Sequence, residues 1–330
     1  MNDQSGHGRV LTAAAALFFV VGVVVFAWNI PLPLIAYSPG PVSDAAEAVV
    51  VDGTELFLPE GELMMLTIAG QDLNIFEALV AAMDPTVDVL ARQAVRRPDE
   101  SDEAYRRRNL QLMDDSTATA ITVALSHLDV SNIDPSVFIT GYAADTPAGS
   151  VLEIGDQIVE LDGVEITATE DLAEAMEDNA PGDTVAVEVE RGSESMSFDI
   201  ELAAFDEEPE RPFIGIFVRS LPYWIDVDPG IVGGPSAGLM YSLAIIEVLA
   251  EGDLTSGHVI AGTGTVDTEG NVGAIGGVRQ KVVAAEAAGA EYMLVPSSNY
   301  EAALTAPRGS MELVPVATVE DALAFFEGLG

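Results

Sequence analysis

An uninterrupted apolar segment, VLTAAAALFFVVGVVVFAW, runs from Val10 to Trp28 near the start of the 330-residue chain. It contains no charged residue, and about 19 residues suffice for a helix to cross the hydrocarbon core of a bilayer. Arg9 precedes it and the next basic residue is Arg92, so the positive-inside rule places residues 1–9 in the cytoplasm. We expect a single-pass anchor in the cell membrane over residues 10–28, with the rest of the chain outside the cytoplasm. A cleaved signal peptide and a buried helix are the alternatives.

Acidic residues dominate the charge of the chain: 54 Asp and Glu stand against 13 Lys and Arg, a formal net charge of −41. Such a surface repels phosphate backbones, which argues against nucleic-acid binding. Cysteine is absent, and His7, His127 and His258 are the only histidines. A disulfide framework and a thiolate zinc site are therefore excluded, and a histidine-rich metal site is disfavoured. We expect no metal and no cofactor.

Residues 30–128 are expected to form an extracytoplasmic N-terminal region. Four prolines between Ile30 and Pro41 rule out a continuous helix there and predict an extended exit from the membrane. Short apolar runs separated by Gly and Pro between Ala48 and Ile68 predict strands. A helix is predicted over Ala104–Leu128. The charged stretch from Arg92 to Asp115 overlaps its start and indicates a face of this helix that is exposed to solvent.

The sequence pattern changes over residues 129–204, which are expected to form a separate unit. VFITGY predicts a strand, and Thr169–Asn179 predicts a helix with Thr169 as its N-cap. TVAVEVE and MSFDIEL, on either side of Arg191-Gly192-Ser193, predict a hairpin. The segment TPAGSVLEIGDQIVELDGVEI, which contains Gly155-Asp156 and Asp162-Gly163, resembles the PDZ domains of exported bacterial proteases. The resemblance implies a domain that binds an extended peptide along a sheet edge; a structural spacer is the alternative.

The last part of the chain, residues 205–330, begins with an acidic linker that contains proline, Phe205–Pro212, and continues with alternating strands and helices. Helices are predicted over Pro235–Ala250, Val278–Ala288 and Val319–Phe326. Alternation of this kind is typical of an α/β layer arrangement. The fold class of the whole chain is therefore expected to be α+β, with an N-terminal transmembrane helix, a PDZ-like domain and a C-terminal α/β domain.

The first motif that could carry chemistry is GGPSAG, residues 233–238. Pro235 suits the first turn of a helix, so Ser236 is expected at a helix N-terminus, where free backbone N–H groups and the helix dipole can stabilise an oxyanion. Gly234 allows a tight backbone path, and Ala237 lets a substrate backbone come close. Serine is also a common helix N-cap, so the motif alone is ambiguous.

Lys281 is the only lysine of the chain; the other 12 basic residues are arginines. Arginine does not lose its proton in proteins, whereas a lysine amine can. The predicted helix places five residues on one otherwise apolar face: Val278, Lys281, Val282, Ala285 and Ala288. Arg279, Gln280 and Glu286 are expected to point elsewhere.

Burial on such a face lowers the pKa of a lysine, and a neutral amine can take a proton from a serine hydroxyl. A lysine that keeps its head in water is one alternative. A Ser-His-Asp triad that uses His127 or His258 is another.

Together, the two motifs resemble the proteolytic domain of Lon peptidases. GGPSAG corresponds to the nucleophile motif of that family, with Gly233 where many members carry Asp. TGTVDTEGNVGAIGGVRQKVVAA corresponds to the segment that leads to the family's lysine. The resemblance implies that Ser236 is the nucleophile, that Lys281 is the general base and that Thr263 orients the lysine amine.

The whole arrangement of anchor, SPGP segment, PDZ-like unit and Lon-type unit resembles the bacterial membrane-anchored, PDZ-containing Lon-like serine proteases. No Gly-x-x-x-x-Gly-Lys-Ser/Thr motif surrounds the sole lysine, so we expect no use of ATP. The prediction is a serine endopeptidase that cleaves proteins or peptides outside the cytoplasmic membrane through an acyl-enzyme; the resemblance also implies a homo-oligomeric ring. A membrane-anchored PDZ scaffold whose Lon-type unit is inactive or cleaves only itself is the alternative.

Overall fold

The computed structural model describes residues 18–19, 21–22, 28–52, 54, 56–57, 59–98, 100–128, 130, 135–143, 146–192, 194–204, 210–230 and 233–329. Most of the predicted anchor, namely residues 10–17, 20 and 23–27, lies outside these ranges, as do residues 205–209 of the predicted linker. Within the described ranges, no helix combines the length and the apolar character needed to cross a membrane.

The helices of the described residues, numbered along the chain, are α1 (Ile75–Ala81), α2 (Arg92–Val95), α3 (Asp102–His127), α4 (Thr169–Ala175), α5 (Gly238–Leu249), α6 (Val278–Ala287), α7 (Tyr300–Ala303) and α8 (Val319–Glu327). The strands are β1 (Leu34–Asp44), β2 (Val49–Asp52), β3 (Glu62–Asp72), β4 (Asp88–Ala91), β5 (Ser136–Tyr142), β6 (Gln157–Leu161), β7 (Val164–Glu165), β8 (Thr184–Arg191), β9 (Glu194–Glu201), β10 (Ala203–Ala204), β11 (Pro212–Phe213), β12 (Ile216–Leu221), β13 (Trp224–Val227), β14 (Val259–Gly262), β15 (Thr265–Val266), β16 (Val272–Gly273), β17 (Tyr292–Pro296) and β18 (Glu312–Val316).

One sheet combines strands from both ends of the chain, in the order β18-β17-β14-β3-β1-β4. β14 runs parallel to β3 and to β17, whereas β1 is antiparallel to β3 and β4. The sheet therefore crosses the division that the sequence analysis placed between residues 30–128 and residues 205–330. The stretch after Ile30 is extended, as predicted, but it is a paired strand of this sheet rather than a free exit segment. Its register shifts between Pro39 and Val42, which is where a strand tolerates proline.

Helices cover the two faces of this sheet. Leu63 and Met65 of β3 pack in the core that contains α5, while Leu66 packs with α6, because successive side chains of a strand point to opposite faces. α3 and α8 complete the layer on the α5 side. Every residue of α5 from Gly238 to Val248 is buried, so this helix is held on all sides.

The PDZ-like unit is built on a second sheet, with the order β12-β5-β6-β8-β9. The predicted hairpin is present as β8 and β9. α4 begins at Thr169, but its N-cap is Ala168 rather than the predicted Thr169. The carboxylate of Asp171 accepts hydrogen bonds from the backbone N–H groups of Thr167 and Ala168, which fixes the start of the helix.

A short segment links the PDZ-like sheet to the α5 core. β12 pairs with β5 of the PDZ-like sheet, and β13, which follows it directly, pairs with β2 beside the α5 core. The rings of Trp224 on β13 and Phe138 on β5 lie 6.1 Å apart. β13 and β2 form a separate two-stranded sheet, and the chain then runs on to the GGPSAG motif, so the segment just before Ser236 links the PDZ-like sheet to the α5 core.

Candidate active site

Ser236 lies in a single 3₁₀ turn, Pro235–Ala237, that leads directly into α5. Pro235 occupies the first position of the turn, as predicted, and Gly234 before it has φ 98°, a conformation that strongly favours glycine. Ala237 is buried in the core, whereas Ser236 is partly exposed. The rigid helix therefore presents the serine hydroxyl at the surface of the core.

α3 supports this turn from the side. The backbone N–H of Gly234 donates to the carbonyl of Asn109 at 2.9 Å, and the Ser116 hydroxyl donates to the carbonyl of Pro235 at 3.1 Å. A Cβ atom added to Gly233 would lie 3.1 Å from the Cβ of Asn109. The close approach of α3 gives a physical reason for glycine at this position, where the resemblance showed a departure from the Asp of many Lon peptidases. Sequence reasoning did not identify Asn109 or Ser116.

Lys281 is placed by α6, which begins after Gly277 in the left-handed conformation, φ 69°. Val278, Lys281, Val282 and Ala285 are buried, as the helical spacing predicts. One expectation about this helix was wrong, because Ala288 is exposed. Gln280 is also buried. Its amide donates to the carbonyl of Thr86 at 3.3 Å, so the loop before β4 packs against α6 at this position.

The serine and the lysine meet beyond the carboxyl end of β14. Lys281 Nζ lies 2.7 Å from Ser236 Oγ and 2.8 Å from Thr263 Oγ1. Thr263 follows β14 directly, and its hydroxyl donates to the carbonyl of Ser236 at 3.0 Å. The backbone N–H of Gly264 donates to the same carbonyl at 2.9 Å. These contacts fix the main chain of the serine and the head of the lysine to one another.

The surroundings of the amine oppose its charge. Lys281 is only 2% exposed, and burial lowers its pKa from 10.5 to about 7. A buried ammonium group loses hydration that its neighbours replace only in part, so the uncharged form is favoured. The two neighbours of Nζ described above are neutral hydroxyls. A substantial fraction of the amine is therefore neutral at physiological pH.

The histidine alternative finds no support in the structure. His258 lies at the amino end of β14, the opposite end from Thr263, and its Nδ1 is 3.1 Å from Glu291 Oε2. His127 is the last residue of α3. The Ser236 hydroxyl contacts the lysine amine instead. Among the described residues, no group of three or more His, Asp or Glu side chains is arranged to hold a metal ion.

Comparisons with known proteins agree with two parts of this description. Residues 127–202 match the PDZ domain family, which confirms the predicted PDZ-like unit. The PDZ domain of the SdrC-like protein from Listeria monocytogenes is 31% identical, covers 25% of this chain and 86% of its own, and has a TM-score of 0.24.

The C-terminal part of the chain is distantly similar to Lon proteases. The Lon protease of Campylobacter concisus is 28% identical over 193 residues, which are 56% of this chain and 24% of that protein. The Lon protease of Neorickettsia sennetsu is 32% identical over 118 residues, which are 34% of this chain and 14% of that protein. The chain thus spans a quarter or less of the length of these relatives.

Proposed function

We propose that this chain is an ATP-independent serine endopeptidase in which Ser236 is the nucleophile and Lys281 the general base. The observation that supports it most strongly is the 2.7 Å contact between Ser236 Oγ and Lys281 Nζ. A general base must lie within hydrogen-bond distance of the proton it removes and have a pKa close to the working pH. Lys281, with its pKa lowered to about 7, meets both conditions. The distant similarity to Lon proteases favours the same chemistry.

The reaction proceeds through an acyl-enzyme. Neutral Lys281 accepts the hydroxyl proton of Ser236 as Oγ attacks the carbonyl carbon of the scissile peptide bond. The resulting ammonium group returns that proton to the leaving amine when the C–N bond breaks. Water then attacks the ester, with Lys281 again accepting a proton and returning it to Ser236. Thr263 acts as a positioning residue, because it holds the amine and the main chain of Ser236 together.

The developing oxyanion needs hydrogen-bond donors near Ser236. The 3₁₀ turn and α5 form one continuous helical segment, 235–249, whose first amides have no partner within the helix. These amides and the helix dipole favour negative charge beside Ser236. Because α5 is buried throughout, the donors are held in place before substrate arrives.

The PDZ domain offers a way to hold extended substrates. β12 lies at one edge of its sheet and is antiparallel to β5 on its inner side. The unpaired side of such a strand can add a peptide through main-chain hydrogen bonds. β12 continues into β13 and then towards Ser236, so a bound chain would lie on the element that leads to the nucleophile. Loose or extended protein segments are therefore the substrates that we propose.

The place of action that we propose is the outer face of the cytoplasmic membrane, with residues 10–28 as a single-pass anchor. This part of the proposal is supported by the apolar run and by the one-sided distribution of arginine around it.

Cleavage of a permanently unfolded protein by the purified full chain tests the proposal. The wild type is expected to cleave without ATP, and Ser236→Ala, Lys281→Arg and Lys281→Met are each expected to abolish cleavage. Lys281→Met is decisive, because it removes the base without placing a permanent charge in this buried site. Lys281→Arg tests whether a positive charge alone suffices. Ser298→Ala and Arg308→Lys, at exposed positions outside the strands, are the matched controls and should cleave like the wild type.

Full activity of Lys281→Arg would overturn the mechanism. A wild type that cleaves no added protein, and forms no adduct between Ser236 and a serine-reactive probe, would leave an anchored PDZ scaffold as the better account. Processing of the chain itself that disappears in Ser236→Ala, without cleavage of other proteins, would indicate a self-cleaving unit.

A further inference from the structure

The short helix α1 exposes an apolar face. Leu79 is 64% exposed, Val80 70% and Met83, just beyond the helix, 86%, and Ile75 is also exposed. Ile75, Leu79 and Met83 are spaced by four residues, so they line one side of the helix and the turn after it. Contiguous apolar residues exposed in this way mark an interaction surface.

This face is displayed by a well-formed element. Asn74 caps α1 in a capping box: its side chain accepts from the N–H of Glu77, and the Glu77 carboxylate accepts from the N–H of Asn74. Leu73, which precedes Asn74, is hydrogen-bonded to the segment that follows the predicted anchor: its carbonyl accepts from the N–H of Leu32 at 2.7 Å. The apolar side chains are thus held outwards by a helix with satisfied ends.

The apolar face lies beside the end of the predicted anchor. The ring of Phe76 on α1 lies 5.6 Å from the ring of Trp28, the last residue of the apolar run. Trp28 and Ile30 are themselves exposed. Tryptophan is enriched where a membrane segment meets the headgroup region, so α1 lies at the level at which the chain would leave a bilayer.

The charge of the neighbouring segment is unusual for this chain. Residues 92–108 contain six of the 12 arginines and four acidic residues, a formal charge of +2, whereas the whole chain carries −41. The segment begins next to the chain entry: the N–H of Arg92 donates to the carbonyl of Pro33, and its guanidinium pairs with Asp72 just before α1. Arg92, Arg96, Arg107 and Arg108 pair with carboxylates of the same region. This side of the protein is therefore closer to neutral than the acidic remainder and is repelled less by anionic headgroups.

We propose that α1, together with Trp28 and Ile30, is a bilayer-docking surface whose apolar side chains enter the interfacial layer of the membrane beside the anchor. Amphipathic helices that lie in this layer bury their apolar face by about 5–10 Å. The inference rests on the membrane anchoring of the proposed function. The docking surface would be a second point of attachment, and it would fix the orientation of the protease domain relative to the membrane.

This surface is connected to the catalytic lysine helix. Two residues after Met83, the carbonyl of Pro85 accepts from Arg279 of α6 at 3.2 Å, and the next carbonyl, of Thr86, accepts from Gln280. The loop that follows α1 therefore contacts the start of α6 through these two hydrogen bonds.

Fluorescence quenching by lipids tests the proposal, and the absence of cysteine makes site-specific labelling simple. Full-length Ser236→Ala protein with a single bimane-labelled cysteine at Leu79 or Met83 is reconstituted into phosphatidylcholine/phosphatidylglycerol vesicles that contain nitroxide-labelled acyl chains. The same label at Ser298, an exposed position, is the control. We expect quenching at 79 and 83 to be at least threefold stronger than at 298. The double change Ile75→Asp and Val80→Asp should reduce quenching at Leu79 to the control level.

Quenching at 79 and 83 no stronger than at 298 would overturn the inference, whether the labels face water or are covered by a second copy of the chain. The measurement needs no peptidase activity, so a failure of the Ser236 mechanism leaves it unaffected. Protein that does not float with the vesicles would refute both the anchor and the docking surface. Protein that floats with its labels in water would refute the docking surface alone.

Discussion

Replacing Lys281 by methionine should abolish catalysis and yet stabilise the folded protein at neutral pH. The folded-state pKa of Lys281 is lowered from 10.5 to about 7. At ~1.36 kcal/mol per pKa unit, this difference corresponds to a destabilisation of about 5 kcal/mol below pH 7. Methionine fills a similar volume, carries no charge and forfeits two hydrogen bonds worth about 1 kcal/mol each. At pH 7, where half of the folded lysine is already neutral, the cost is about 4 kcal/mol, so the expected net gain is ~2 kcal/mol.

The gain should shrink as the pH rises. Between pH 7 and 10.5 the unfolded lysine holds a proton that the folded lysine has released, so the stability of the wild type increases with pH across this window. The methionine variant lacks this dependence. The difference between the two proteins should therefore change by about 3 kcal/mol, in favour of the wild type, from pH 7 to pH 9.5.

Hydrogen-exchange mass spectrometry on the full chain measures this difference, because peptides from α6 report its opening free energy under native conditions. Comparing the two proteins at each pH cancels the pH dependence of intrinsic exchange and the titration of all other groups. Gln280→Met, a neutral change at the adjacent buried position, is the control and should show an effect that is the same at both pH values. The reasoning would be refuted if Lys281→Met lowered the opening free energy of α6 by the same amount at pH 7 and at pH 9.5.

Three further changes probe the surroundings of the site. Thr263→Val should lower kcat at least tenfold. It should also move the midpoint of the pH–rate profile of peptide cleavage to lower pH, because the charged amine loses an acceptor at 2.8 Å. Thr263→Ser should restore the wild-type kcat and midpoint. Ser116→Ala removes a hydrogen bond to Pro235 and should slow modification of Ser236 by a serine-reactive probe several-fold without moving the midpoint. Burial raises the pKa of Glu247 on α5 from 4.5 to about 7. The stability of the wild type should therefore fall as the pH rises from 4.5 to 7. In urea unfolding, the free energy of unfolding of Glu247→Gln relative to that of the wild type should increase over this interval and stay constant above pH 7.

The positions of Ser236 and Lys281 on their helices could be predicted because their signals are local. Ser236 follows a Gly-Gly-Pro sequence that starts a helix, and the helical period places Lys281 on a face with Val278 and Val282. Each helix therefore fixes the direction of its own functional side chain before any long-range contact is known. The helical period does not predict that the two helices meet. That expectation came from the resemblance to Lon peptidases.

The β8–β9 hairpin could be predicted because a short turn joins its strands. Partners that are distant in the chain could not, because alternation identifies a strand and says nothing about its neighbour. β3 pairs with β14, almost 200 residues later in the chain, with the PDZ domain between them. The same limitation concealed the packing of α3. Small residues at Gly233 and Gly238 indicate that something approaches closely, but only the structure identifies Asn109 and Ser116 as the groups that do.

The pH dependence of covalent modification of Ser236 tests the central claim most directly. The second-order rate constant for a fluorophosphonate probe, measured on the full chain from pH 5.5 to pH 9, should rise through a single titration centred near pH 7, the pKa of the buried amine. It should fall by several orders of magnitude at every pH in Lys281→Arg. A rate constant that does not change across this range, or that survives in Lys281→Arg, would contradict the account.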